Sequence, residues 1–509
     1  MGRYQWCVWA LCGCGYFIDL LWAQAFGLVL SSRQQELGFS NGQSGRIATS
    51  FNAGLTAGAF FWGFMADIVG ARRWAFNLTC LVSSIFGLCL GASNSYTTFL
   101  VLTAFVGFGV GGNIPVDSAI FLEFVPRDRR FLLACLSVFQ PLGVIASSAI
   151  AFGFIPNYSC TPNFSEPNPL PSCSNVAEGT RCCARDSNRG WRYVLFTTGA
   201  LSLTVFVLRF FVFSFKETPK FLVYAGRDDE AIATMRHITG SKDSKCDITA
   251  EAFEAVEREY EVEVSSNSRR SSHSSASSQG LSMGGGAVAQ LARTLAPYKV
   301  FFGSWGMARL TILVWLMHAM DFSGFTVAGF YLPRILALKN GAAHVSLRAT
   351  YAAYIYTYAP GIIGVLAGAL MYRVPLLGRR WTMVLSSALM GASIFLLATV
   401  DSVAKREGLF ALEYFFQSMF NAVLYGWTPG AFPAPVRGAA CGVAGFWGRL
   451  FGIISPLIAQ SLYGRAKDGG GSGDVNAVLY LAGGITLGCV LTTALLLTKL
   501  MVSEDETQR

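Results

Sequence analysis

Gly63-Phe-Met-Ala-Asp67-Ile-Val-Gly70-Ala-Arg72-Arg73-Trp74 joins two apolar runs, each about long enough to cross a bilayer. An acid and two arginines stand in this short turn, punctuated by Gly70. Charges placed so can pair with those of neighbouring helix ends and hold one face of a helical bundle shut, and a rocking bundle opens by breaking such pairs. The cluster recurs. Arg72-Arg73-Trp74 returns 307 positions on as Arg379-Arg380-Trp381, and Gly63 returns 305 positions on as Gly368, with Pro375 inside the slightly longer second loop. Glu123-x2-Pro126-x3-Arg130 returns as Gly430-x2-Pro433-x3-Arg437, again 307 positions on. Two motifs repeating at one offset mark duplicated halves.

Composition sets the solvent. The 509 residues are 53% hydrophobic and 14% charged, against roughly 25% charge in soluble domains, which reads as a polytopic membrane protein. The net charge of +9 is dispersed among apolar runs and flanks membrane spans; no nucleic-acid surface is implied. Twelve spans are expected, at about 4–30, 47–66, 75–93, 97–122, 131–155, 191–215, 306–332, 349–371, 381–400, 409–429, 438–463 and 475–498. The fold class is therefore all-α. Two six-helix bundles, 1–215 and 301–501, are separated by a hydrophilic insert, 216–300, and followed by a short tail, 502–509. Within the insert, helical segments are expected at about 228–238 and 249–264, and 265–286 collapses into Ser, Gly and Arg, a disordered linker by composition. Ala23-Gln-Ala25 imitates a signal-peptidase site, but the apolar run continues past it, so the first span is read as retained.

Sidedness comes from one loop. Positions 156–190 hold Cys160, Cys173, Cys182 and Cys183 beside two glycosylation sequons, at Asn157 and Asn163. Such a loop belongs on the oxidising, extracellular or luminal side, which puts both termini and the insert in the cytosol; arginine and lysine counts in the short loops do not decide the matter. Cys182 and Cys183 are adjacent, so each is expected to reach back to Cys160 or Cys173. No histidine lies nearby, and no metal site is expected.

Ionisable groups inside lipid cost roughly 2.5–3.5 kcal/mol each on insertion scales, so each is a functional candidate. They are Asp19, Asp117, Arg209, Arg309, His318, Asp321, Glu413 and Arg449. Asp117 follows Gly111-Gly112-Asn113-Ile-Pro115-Val116, an interruption that can open backbone groups toward a central cavity. Asp19 and Asp321 occupy the first spans of the two halves. Arg209 and Arg449 read as latch or snorkelling residues. His318 is the one histidine in a span and no nucleophile motif accompanies it, which argues against an enzyme.

Gly63-x3-Asp67 with Arg72-Arg73, Gly112-Asn113-Ile-Pro115-Val-Asp117, Glu123-x2-Pro126-x3-Arg130, Lys216-Glu217-Thr-Pro219-Lys220 and Tyr425-Gly-Trp-Thr-Pro429 together resemble the major facilitator superfamily. The similarity is to its sugar-porter-related branch, closest to organic-ion porters and synaptic-vesicle-glycoprotein-like fungal transporters. The resemblance implies alternating access, commonly driven by protons, with no cofactor and a monomeric chain. It also implies a cytosolic tail ahead of Met-Gly-Arg-Tyr-Gln-Trp6, so an upstream segment is expected to be missing. Asp19 and Asp117 are the candidates for proton coupling, and Asn113, His318, Asp321, Thr326 and Glu413 the candidates for the substrate cavity. Gly63, Asp67, Gly70, Arg72, Arg73, Glu123, Arg130, Arg379, Arg380, Arg437 and Arg449 would form the cytosolic gate.

Three departures bear on the substrate. Thr103 to Gly107 lacks the arginine that opens the family's fourth span, and Gly430 stands where the second-half latch has Glu. The hexose-binding Gln-Gln pair of the seventh span is replaced by Met320-Asp321, in a stretch that continues through Ser323 and Thr326. A carboxylate and a hydroxyl in place of paired amides favour a charged solute over a neutral hexose. A neutral sugar or polyol porter, and a non-transporting nutrient sensor that signals through the insert, are the alternatives. The plasma membrane is the expected location, a vacuolar or vesicular membrane the alternative.

Overall fold

The computed structural model describes residues 2–68, 72–126, 129–166, 168–177, 179–212, 228–239, 301–342, 346–374, 377–400, 402–432, 437–468 and 475–496. Twelve spans cross in two halves of six. The first half comprises Arg3–Leu37, Asn41–Ile68, Arg72–Gly91, Tyr96–Phe124, Phe131–Phe154 and Gly190–Phe211. The second comprises Trp305–Ala342, Leu347–Tyr372, Leu377–Thr399, Val403–Trp427, Arg437–Asp468 and Val475–Ala494. Ten of these are apolar enough to be membrane helices on composition alone. The second and tenth complete the set, and both carry polar residues that face the protein rather than lipid: Asn52 and Thr56 in one, Glu413, Gln417 and Ser418 in the other, all buried.

The sequence dictates where spans bend. The fourth breaks at Gly111-Gly112 and restarts at Asn113, where Pro115 sits in the first turn of the new helix and forfeits no hydrogen bond. A Cβ at Gly111 would lie 2.3 Å from the carbonyl oxygen of Leu55, so only glycine lets the second and fourth spans approach this closely. The eighth span breaks before Pro360. The sixth ends in a π-helical turn, Leu208–Val212, which contains Arg209.

The halves meet along spans two and eleven on one side and spans five and eight on the other, as two-fold related bundles would. An even number of spans puts both chain ends on one face, here the terminal face; the opposite one is the loop face. On the loop face two disulfides, Cys160–Cys183 and Cys173–Cys182, staple the loop, each adjacent cysteine reaching back as the sequence suggests. That loop is clamped to the end of the first span. Ser172 donates to the carbonyl of Glu36, Ser174 to that of Leu37 and Asn175 to that of Gly38, where the helix ends in the left-handed conformation. Glu36 accepts both arms of Arg192 at 2.8 Å and the indole N–H of Trp191 at 2.8 Å. Arg33, fully buried, lies over Phe99 at 3.5 Å and Trp191 at 4.4 Å. Asn157 is exposed at the end of the fifth span, and Asn163 closes a turn on Ser165 and Glu166. On the terminal face the helix Asp228–Thr239 lies against the start of the first span, with His237 edge-on to Tyr4. Positions 249–264 and 265–286 of the insert lie outside the described residues.

Candidate substrate site

A cavity lies between the halves, near the middle of the bundle. Asp19, Gln24 and Phe26 of the first span, Asn52 of the second and Gln140 of the fifth form one wall. Asp321, Phe322 and Thr326 of the seventh span, Asn421 and Tyr425 of the tenth and Arg449 of the eleventh form the other. Two carboxylates and one guanidinium are thus set among aromatic rings. Asp19 and Asp321 sit on the equivalent first helices of the two halves, and both are buried. With its amide nitrogen turned to the carboxylate, Asn421 donates to both oxygens of Asp321, at 3.0 and 3.2 Å. Asp321 is therefore held by a neutral donor. Asp19 lies within electrostatic reach of Arg449. Thr326 bonds back to the carbonyl of Phe322 at 2.7 Å.

Asp117 is elsewhere. It is fully buried inside the first half, where its Oδ2 accepts from Arg209 Nη2 at 2.8 Å, and it is not among the residues lining the cavity. The same guanidinium donates to the carbonyls of Leu11 and Phe76 and lies 4.0 Å above the Phe76 ring. Gly15 makes the space, since a Cβ there would lie 1.7 Å from Asp117 Oδ2. Asn113, also fully buried, reaches the carbonyl of Gly15 at 3.5 Å. Arg209 is thus a structural partner, not a snorkelling residue: the π-helical turn directs it into the bundle. Glu413 is buried in the tenth span, two helical turns from Asn421, and does not line the cavity.

Arg449 differs from its expected place as well. Twelve residues into the eleventh helix, it stands about 18 Å along the axis from the terminal face, too deep for a latch. It lines both the central cavity and a second, smaller one below it, toward the terminal face, where His318 is found. The His318 ring packs edge-on to Tyr425, and its Nδ1 bonds to the carbonyl of Val314 at 2.9 Å.

Of the gate candidates, Glu123 is half-buried at the end of the fourth span and Arg130 half-buried ahead of the fifth. Arg379 lies over Tyr372 at 4.4 Å, and Arg380 and Arg309 donate to the last carbonyls of the twelfth span, Ala494 and Leu495, as cations at a helix C-terminus do. Gly63 has open space beside it. Gly70 and the side chains of Asp67, Arg72, Arg73 and Arg437 lie outside the described residues. Sequence reasoning assigns no role to Asn52, Gln140, Asn421 or Tyr425. Their signal was available in the first three, each an amide inside an apolar run; Tyr425 stands within a quoted motif.

Residues 14–501 match the family model described as Sugar (and other) transporter. A relative from Ceriporiopsis subvermispora, described as MFS siderochrome iron transporter 1, is 35% identical over 463 residues, 90% of this chain and 82% of the relative. This chain belongs to the sugar-transporter family of the major facilitator superfamily. It is a transporter, not an enzyme. Synaptic vesicle glycoprotein 2C of Mus musculus is 29% identical to the transporter over 231 residues, 45% of this chain and 29% of that protein. The solved proton:xylose symporter XylE bound to 6-bromo-6-deoxy-D-glucose shares the fold with a TM-score of 0.68 at 15% identity, covering 97% of this chain and 96% of that one.

Proposed function

We propose that this transporter moves a small organic solute carrying charge by alternating access, coupled to protons, through the cavity between its halves. The observation that carries the reading is Asp321. In the seventh span, where hexose porters resemble one another in a pair of amides, this chain sets a carboxylate into the cavity wall, held by Asn421 and opposed by Arg449 and Asp19. Three ionisable side chains desolvated around one space suit a charged partner better than a neutral polyol, whose hydroxyls they would leave over-supplied with charge.

Asp19 is the proposed coupling residue. A carboxylate facing a guanidinium across a cavity releases it on taking up a proton, and the freed arginine can then bind solute or let the halves part. Asp117, locked to Arg209 away from the cavity, is proposed as a structural residue instead. The symporter description of XylE supports proton coupling for the fold, and the family description keeps a neutral sugar as the rival solute. The sequons and disulfides support an extracellular or luminal loop face and cytosolic termini, and suit the plasma membrane or a vacuolar or vesicular membrane alike.

The first test is thermal stabilisation of the purified protein by organic anions, organic cations and hexoses, at acidic and neutral pH, since stabilisation follows affinity. Charged compounds should stabilise it with a pH-dependent size. Hexoses stabilising it equally at both pH values would replace this reading with a sugar porter. Once a ligand is found, Asp19→Asn in proteoliposomes should abolish gradient-driven accumulation and spare counterflow. Accumulation at the wild-type level would remove Asp19 from coupling.

A further inference from the structure

The second cavity has a chemistry of its own. It lies between Tyr16 of the first span, His318 of the seventh, Tyr425 of the tenth and Cys441, Gly442 and Arg449 of the eleventh, and no carboxylate lines it. Two hydrogen-bond donors there are buried without a partner among the described residues: the hydroxyl of Tyr16, on a residue 1% exposed, and Nε of Arg449, on a residue 3% exposed. Buried donors of this kind cost free energy unless something accepts from them. His318 donates from Nδ1 to the carbonyl of Val314 on its own helix, so the neutral ring keeps Nε2 as an acceptor. The two unpartnered donors are those of Tyr16 and Arg449, and the one fixed charge is a guanidinium.

We propose that this second cavity is a binding subsite for the anionic head of a small organic anion, a carboxylate in the simplest case, with Tyr16 and Arg449 donating to it. The subsite rests on the charged-solute reading above and gives that solute its sign. Arg449 borders both cavities, so an anion can stay on one guanidinium while it passes from the central cavity toward the terminal face. Asp19, which reaches Arg449 from the central cavity alone, competes with the solute for it. Phe322 and Tyr425 border both spaces and offer an apolar body a continuous aromatic wall.

The test uses the full chain in lipid nanodiscs and three probes: benzoate, benzyltrimethylammonium and glucose. Binding is read as thermal stabilisation against probe concentration, for wild type, Tyr16→Phe and Gly442→Leu. Tyr16→Phe keeps the ring and removes one donor to a charged acceptor, so benzoate should bind about tenfold more weakly. A Cβ at Gly442 meets nothing within 4 Å among the described residues, so Gly442→Leu extends its side chain into the cavity that Gly442 lines, and benzoate binding should be lost. Benzoate binding all three proteins equally, or failing to bind wild type, would overturn the subsite. Stabilisation by benzyltrimethylammonium in place of benzoate overturns the subsite and keeps the charged-solute reading; stabilisation by glucose alone overturns both.

Discussion

Asp117 and Asp321 are both buried carboxylates in spans, yet their surroundings ask different things of them. Asp117 has a guanidinium at 2.8 Å that also occupies two backbone carbonyls, while its other oxygen is buried without a partner among the described residues. Removing one partner of such a pair strands the other charge, so Asp117→Asn should lower the stability of the purified protein by about 3–5 kcal/mol, read by thermal or denaturant unfolding in detergent. Asp117→Leu combined with Arg209→Met should recover most of that loss, because an apolar pair leaves no charge stranded. Wild-type stability in Asp117→Asn would refute the structural assignment. That both aspartates matter is legible in the sequence, because a charge in an apolar run is expensive wherever it stands. Which of them faces a cavity is not, since Arg209 lies 92 positions from Asp117 and only the packed bundle brings the two together. Arg449 illustrates the same limit: its depth follows from where the eleventh helix starts, and its neighbours include Asp19 and Tyr16 of the opposite half.

At the scale of single helices, glycine placement explains how the spans pack. A Cβ at Gly58 would stand 2.1 Å from the carbonyl oxygen of Phe108, and at Gly54 2.0 Å from that of Ala104, so the second span rests backbone to backbone on the fourth. Gly364 repeats the device in the second half, 2.2 Å from the carbonyl of Phe415. Gly58→Ala should therefore cost about 1–3 kcal/mol through overpacking, measured as a lower unfolding temperature. Gly63→Ala, whose Cβ meets nothing within 4 Å among the described residues, should leave that temperature unchanged or raise it slightly, because alanine favours a helix. Equal losses in both would mean that the contact with Phe108 does not set the cost at Gly58, since helix propensity alone would favour alanine at either site. Twelve spans, their order and the break at Gly111-Gly112 were all readable from hydropathy and punctuation. Their lengths were not. The first helix is expected to end near position 30 and runs to Leu37, where Ser32, Arg33 and Gln35 are buried and hydrogen-bond to loop residues Asn188, Ser93 and Pro162. Hydropathy sees polar side chains there and has no view of the loop that covers them.

Across the whole molecule, alternating access requires that contacts between the halves be few enough to break and specific enough to bias which face opens. On the loop face the hydroxyl of Tyr351, in the eighth span, donates to the carbonyl of Leu28, in the first, at 2.7 Å, and Arg348 lies 5.4 Å from the ring of Phe152. At mid-depth Asn52 donates to the carbonyl of Gly452 at 3.2 Å, and toward the terminal face Arg373 lies 3.8 Å over Phe131. The Tyr351 bond joins the halves directly and is buried, so Tyr351→Phe removes about 1 kcal/mol from the closed loop face while keeping the ring that packs on Tyr354. A loss of that size shifts a two-state equilibrium about fivefold toward the state open on the loop face. Spin labels placed on the loop-face ends of the first and eighth helices should then show a larger population at long separation by double electron–electron resonance, with no change between labels within either half. An unchanged distance distribution in Tyr351→Phe would mean that the hydrogen bond persists in both conformations, and that the bias between faces is set by the charge groups of the terminal face.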